Sequence, residues 1–327
     1  MHNATAYSLL QEARTHASNN MLTEAASSAE AAARLAADDI DIILEIAELL
    51  YDIKQPGKSV EILKAATTAI PVDAVLLLHL GNYLSQTGDR AGAIVTMAKA
   101  YSLDPANSAI YSTYANLLTT SGNIDEAIDT YTTALSHRPE DKGAWMSLAS
   151  LKQLSGDTDG WLDAYKALHQ LDPESSYFAT ILADALIKQE RAEEAEAVLR
   201  NSIQENNSNI NVHIRLADML FKSGKHREAL EVNRVALEIA PRNSGIRIQR
   251  AEIYERMGAF DDALDAIREL VETPAVTMSA ALIFTKLSPF LGMREQARKL
   301  LSYIVNRDQL DPPPENVAKA LDWLDKS

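Results

Sequence analysis

Seven histidines, at positions 2, 16, 79, 137, 169, 213 and 226, are the side chains best suited to proton transfer or zinc ligation. Their spacing matches no ligand set, and no HExxH pair is present. The stretch GDTDG (156–160) sets Asp157 and Asp159 two apart, like the start of a calcium loop. A calcium hand also needs glycine at the sixth loop position and glutamate at the twelfth, and this sequence has neither. Cysteine is absent, so thiolate nucleophiles, thiolate metal sites and disulfides are excluded, which suits a reducing cytoplasm. There is no glycine-rich phosphate loop and no GxSxG elbow. The sequence therefore predicts no catalytic residue, no metal and no cofactor, and the chain is expected to be non-enzymatic.

Composition narrows the remaining classes. The 327 residues are 46% hydrophobic but only 6% aromatic, as close-packed helices require, and 12 Gly with 11 Pro are few for a turn-rich β fold. The formal charge of −15 argues against nucleic acid or an anionic membrane surface as the main partner. The acidity is uneven: residues 1–163 hold 10 Lys/Arg against 21 Asp/Glu, and residues 164–327 hold 21 against 25. No apolar run approaches the ~18 residues of a membrane span, and the N-terminus has no secretion-signal pattern.

Elements that could position a site emerge from a repeat. Pro71, Pro105, Pro139, Pro173 and Pro241 fall on a 34-residue clock. The same frame opens repeats at Ala6, Ile40, Ala74, Ser108, Lys142, Ser176, Ile210, Ser244 and Met278 without an insertion. Repeat position 8 is always small: Ala13, Ala47, Gly81, Ala115, Ala149, Ala183, Ala217, Ala251, Thr285. Position 20 is Ala or Ser throughout, except Trp161. Position 15 is glycine in six repeats, among them Gly122. Each repeat reads as two antiparallel helices that cross at the small residues. Position 15 supplies the turn, and proline stops the second helix. Trp161 demands different packing in its repeat, and Ser288-Pro289 predicts a kink in the ninth.

The sequence Tyr111-Tyr114-Ala115…Ala127…Tyr131…Ala134…Pro139, with Trp145, Leu148 and Ala149, resembles the tetratricopeptide repeat (TPR). That resemblance implies an all-α, right-handed superhelical solenoid of antiparallel helix pairs. It would span residues 1–327 as one domain, in repeats 6–39, 40–73, 74–107, 108–141, 142–175, 176–209, 210–243, 244–277 and 278–311. A capping helix over 314–326 would shield the last hairpin with Val317, Leu321 and Leu324. The resemblance further implies a concave groove, lined by repeat positions 2, 5, 6, 9, 12 and 13 of the first helices, that takes extended or helical segments of partner proteins.

Two groove zones follow from those columns. In repeats 74–175 they hold Leu78, His79, Asn82, Ser112, Thr113, Asn116, Met146, Ser147 and Ser150, a polar but uncharged strip. Asparagine amides there can both donate to and accept from a peptide backbone. In repeats 176–277 the pairs Asp184–Lys188, Asp218–Lys222 and Glu252–Arg256 sit four residues apart. They are expected to be intrahelical ion pairs or a zwitterionic strip for a charged partner. Arg215 and Arg247 could add a positive area beside them. The basic residues of the family's chaperone-tail clamp are missing. The expected function is a protein-binding scaffold, with self-association possible. The alternative is a recruitment module for a separate catalytic partner such as a glycosyltransferase or sulfotransferase.

Overall fold

The computed structural model describes residues 2–36, 39–69, 71, 73–273, 276–310 and 312–326. Pro274 and Ala275, which the frame sets at the end of the eighth repeat, lie outside them. Among the described residues there is no strand. The helices run α1 His2–Ser18, α2 Leu22–Ala36, α3 Ile40–Asp52, α4 Pro56–Ala69, α5 Ala74–Gln86, α6 Arg90–Leu103, α7 Ser108–Thr120, α8 Ile124–His137, α9 Lys142–Ser155 and α10 Thr158–Leu171. They continue as α11 Ser176–Lys188, α12 Ala192–Glu205, α13 Ile210–Lys222, α14 His226–Ile239, α15 Ser244–Arg256, α16 Phe260–Val271, α17 Met278–Leu287, α18 Arg294–Arg307 and α19 Glu315–Lys326. From the second repeat onward every odd helix through α17 opens on the residue that opens the 34-residue frame. The chain divides into two compact halves, Met1–Leu171 and Asp172–Ser327.

Local rules set these boundaries. The residue just before α3, α5, α7, α9, α11, α13, α15 and α17 is Asp39, Asp73, Asn107, Asp141, Ser175, Asn209, Asn243 and Thr277. All but Asn209 accept a hydrogen bond from a backbone N–H of the first turn, satisfying donors that the helix leaves open. Asn209 instead donates its amide to Glu174 O at 3.3 Å. The second helices α6, α8 and α14 stop two residues before Pro105, Pro139 and Pro241. The intervening Asp104, Arg138 and Ala240 leave the α region, with φ between −142° and −131°, because the proline ring crowds the preceding residue. Asn206 makes the same excursion with asparagine in the proline column.

The turn inside each hairpin requires a left-handed residue at position 15. Six repeats use glycine there, and in the other three Asn20, Lys54 and Glu190 are driven to φ of 60°, 64° and 60°. A side chain in that region costs roughly 1–2 kcal/mol. The hairpin geometry therefore overrides local preference.

Packing explains the small columns. All the small residues of position 20 are fully buried, and those of position 8 are buried. The Ser59 hydroxyl donates to Ala47 O at 2.7 Å, joining the two columns across one crossing. A Cβ added to Gly81 would stand 3.6 Å from Ala93 O, in ordinary contact, but 2.6 Å from Met97 Sδ, so the space a methyl would need is already filled by the Met97 side chain. Large side chains such as Leu80, Met97, Tyr114 and Leu182 fill the flanks of these crossings and are buried.

Two departures have physical causes. Trp161 is too large for the crossing and lies half-buried, tilted against Tyr165 at 4.6 Å. In α10 the burial at position 20 passes to its neighbour Leu162, while Ala164, Leu168 and His169 stay buried as their counterparts in α8 do. Pro289 does not kink the ninth repeat. It ends α17 at Leu287, three residues short of the other first helices of this half; Ser288 itself stays helical, with φ −54° and ψ −34°, but proline brings no N–H to continue the backbone ladder. The capping helix is present as α19, with Val317 and Leu324 buried and Leu321 packed beside them.

Consecutive first helices touch at α1 with α3, α3 with α5 and α5 with α7, and at α11 with α13, α13 with α15 and α15 with α17, whereas α7 and α9 make no comparable contact among the described residues. Among the described residues no two consecutive second helices make comparable contact. A stack whose first helices lie closer together than its second helices curves toward the first-helix side.

Three tests follow from this packing. Ala127→Leu is expected to lower stability by ~1–3 kcal/mol through overpacking, and an unchanged melting temperature would contradict the crossing. Glu190→Gly should raise the unfolding midpoint while Gly122→Ala lowers it, each by about 1 kcal/mol; equal signs would refute a shared left-handed turn. The third concerns Asp141, which caps Ala144 N at 2.9 Å and accepts from the Tyr111 hydroxyl. Burial pushes this carboxyl upward, but the bonds from Tyr111 and Ala144, aided by Arg138, outweigh it and hold the pKa below the usual 3.8. A depressed pKa contributes stability above the unfolded value and loses it as pH falls through the folded one. Asp141→Ala should therefore cost ~0.5–2 kcal/mol at neutral pH. In denaturant titrations the cost should shrink in strong acid, and a gap that stays constant with pH would oppose it.

Candidate functional site

First helices expose on their free side the residues that neither caps nor crossings require. In the first half, α5, α7 and α9 carry the uncharged strip. Leu78 belongs to the core, at 9% exposure, and offers no contact surface. His79 and Asn82 are half-buried beside it, and Asn116, Met146 and Ser150 are exposed. Burial lowers the His79 pKa, against an opposing pull from Glu48, which favours the neutral imidazole. Ser112, Ser147 and Ser150 donate to Ser108 O, Gly143 O and Met146 O of their own helices, leaving oxygen lone pairs outward. Thr113 is half-buried alongside. The amides of Asn82 and Asn116 make no hydrogen bond among the described residues, so both keep full donor and acceptor capacity.

In the second half, the three expected pairs reduce to one. Lys222 bonds Asp218 at 2.9 Å. Asp184 is held instead by Arg215 from the next first helix, and Arg215 also reaches Asp218 at 2.6 Å. Arg215 stands between two carboxylates, and its fork serves both. Lys188 and Arg256 form no ion pair among the described residues and are exposed. The expected positive area does not form: Arg215 is neutralised as described, and Arg247 is engaged by Glu269 at 2.5 Å and Pro241 O at 3.1 Å. Arg250 lies over the Tyr254 ring, 5.3 Å from its centroid, and donates to its hydroxyl at 3.1 Å.

The groove columns continue into the ninth repeat as Leu282, Lys286 and Phe290, and here sequence reasoning stopped too early. With α15 and α19 they wall a trough of about 840 Å³, floored by Leu282, Ile283, Pro289, Phe290, Ala320 and Trp323. Phe290 is 62% exposed and Trp323 43%. Glu252 and Glu255 stand on one bank, Lys286 and Lys319 on the other. The columns held the signal for Leu282 and Phe290, whereas no periodicity points to Trp323, which comes from the capping helix.

The motifs that suggested chemistry have ordinary roles. Asp157 caps α10 through Gly160 N at 2.9 Å and pairs with Lys152 at 2.7 Å, and these bonds lower its pKa. His213 is buried, its Nδ1 2.9 Å from Asn209 O. Among the described residues no three acidic or histidine side chains are placed to share a metal ion. Nor is any helix among them long and apolar enough to cross a membrane.

Tetratricopeptide-repeat family models match residues 84–151 and 182–244. No curated protein matches the chain significantly. Among solved structures, the chain overlays a structure of Naa15/Naa10 bound to HypK-THB at TM-score 0.57 and 18% identity, over 81% of this chain and 41% of that one. A tetratricopeptide repeat protein from Parabacteroides merdae aligns at 19% identity and TM-score 0.41, over 77% and 98% of the two chains. YrrB, described as a TPR protein with an unusual peptide-binding site, aligns at 18% and 0.42, over 56% and 95%. Residues 84–151 and 182–244 are thus tetratricopeptide repeats, and the rest of the described chain follows the same 34-residue frame of hairpins with small residues at each regular crossing.

Proposed function

We propose that this protein is a scaffold that binds segments of partner proteins along the face of its first helices. The observation that carries this reading is the division of labour along those helices. Caps and crossings use one side, while the other presents unpaired amides and exposed apolar groups such as Met146, with Phe290 in the turn just past α17. An amide with both hydrogen-bonding capacities free can satisfy a peptide backbone whatever its side chains, and exposed apolar groups supply area for desolvation. Nothing in that face arranges a nucleophile, a base and an acceptor for a reacting atom, which supports binding over turnover.

The Asn82→Ala, Asn116→Ala double variant tests the reading. Partner peptides held on the first half should bind ~1–3 kcal/mol more weakly by isothermal titration, with circular dichroism unchanged. Equal affinity for wild type and double variant would remove these amides from the site.

A further inference from the structure

The trough at the C-terminal end of the second half is the largest apolar recess described above, and its charge is unbalanced. Lys319 is paired with Glu315 at 2.5 Å, and Asp218, an acid outside the lining that acts on Glu252, is paired with Arg215 and Lys222. Glu252 and Glu255 form no ion pair among the described residues; Lys286, which acts on Glu252 across the trough, and Arg256, which lies outside its lining, are exposed and also form none. Within the trough lining, two open carboxylates thus meet a single open ammonium beside an apolar floor. Burial raises the Glu252 pKa. Lys286 opposes the shift, while Asp218 and Glu255 add to it, as expected for a carboxylate short of counter-charge.

We infer that this trough takes a partner segment with a large apolar anchor and a Lys or Arg about one helical turn away. The anchor would fill the space between Leu282, Phe290 and Trp323, and the cation would meet Glu252 and Glu255. The inference rests on the scaffold reading and names the chemistry of one of its subsites. A second copy of this chain is a poor occupant, because its formal charge of −15 would be brought against an acidic bank. An acidic peptide would face the same repulsion.

Selection of a phage-displayed random peptide library on the immobilised full chain tests the inference. Enriched peptides should carry an apolar residue with Lys or Arg three or four positions away. Fluorescence anisotropy of those synthetic peptides should show about tenfold weaker binding to Glu252→Gln/Glu255→Gln and a comparable loss with Trp323→Ala. Changing the peptide's Arg to neutral Gln should abolish the difference between wild type and the Gln variant. Thermal unfolding of both variants, whose altered side chains are all at least partly exposed, controls for folding. Peptides that bind but lose affinity only in the Asn82/Asn116 variant would overturn this inference and leave the scaffold reading standing. Acidic enriched peptides, or dimers in sedimentation that Trp323→Ala dissolves, would also overturn it. A library that yields no binder would sink both readings.

Discussion

Two helices can approach to backbone contact only where neither presents a side chain beyond a methyl or hydroxyl group, and the rest of this protein is arranged around that restriction. The bond from Ser59 to Ala47 O, and the space at Gly81 that a single methyl would crowd, show how little room a crossing leaves. Each close crossing orients its hairpin and buries the larger neighbours on either side. Because the crossing recurs, so does the hairpin, and each hairpin covers an apolar flank of the next. The strained turns at Lys54 and Glu190 show that this geometry prevails over local preference.

That economy leaves the outer side of each first helix free of structural duty. Side chains there can vary without disturbing a crossing, so one frame carries an uncharged strip in its first half and a charged one in its second. The charged strip is largely self-satisfied. Arg215 ties two carboxylates from different helices, a cross-link worth little at the surface, where solvent screens it, but enough to occupy groups that would otherwise meet a ligand. What remains open is the unpaired asparagines in the first half and the unbalanced trough in the second.

The trough depends on how the array ends. Pro289 cuts α17 short, Phe290 is stranded on the surface against Phe260 at 3.9 Å, and α19 packs by Val317 and Leu324 while its Trp323 forms part of the trough floor. A terminal helix that shields the last hairpin thereby gains a second face, apolar and partly wet. Burial of aromatic area with a nearby open charge is the usual composition of an interaction centre.

The 34-residue clock, the small columns, the left-handed turn and the proline stops were all legible in the amino-acid order. Each is a local steric rule that recurs in register, so the fold could be derived residue by residue. Charge pairing could not be read the same way. Spacing placed Lys188 beside Asp184, yet the third dimension brought Arg215 nearer, and it left Glu252 without Arg256. Leu78 stood in a groove column and belongs to the core, while Trp323 lay in no column and helps to floor the trough. Trp161 announced a misfit, but only the packed structure showed its answer, an indole tilted against Tyr165 with Leu162 buried in its stead. Periodicity reports which face of a helix a residue occupies, whereas contact between faces of different helices depends on how far and at what angle they are stacked, and no one-dimensional spacing contains that.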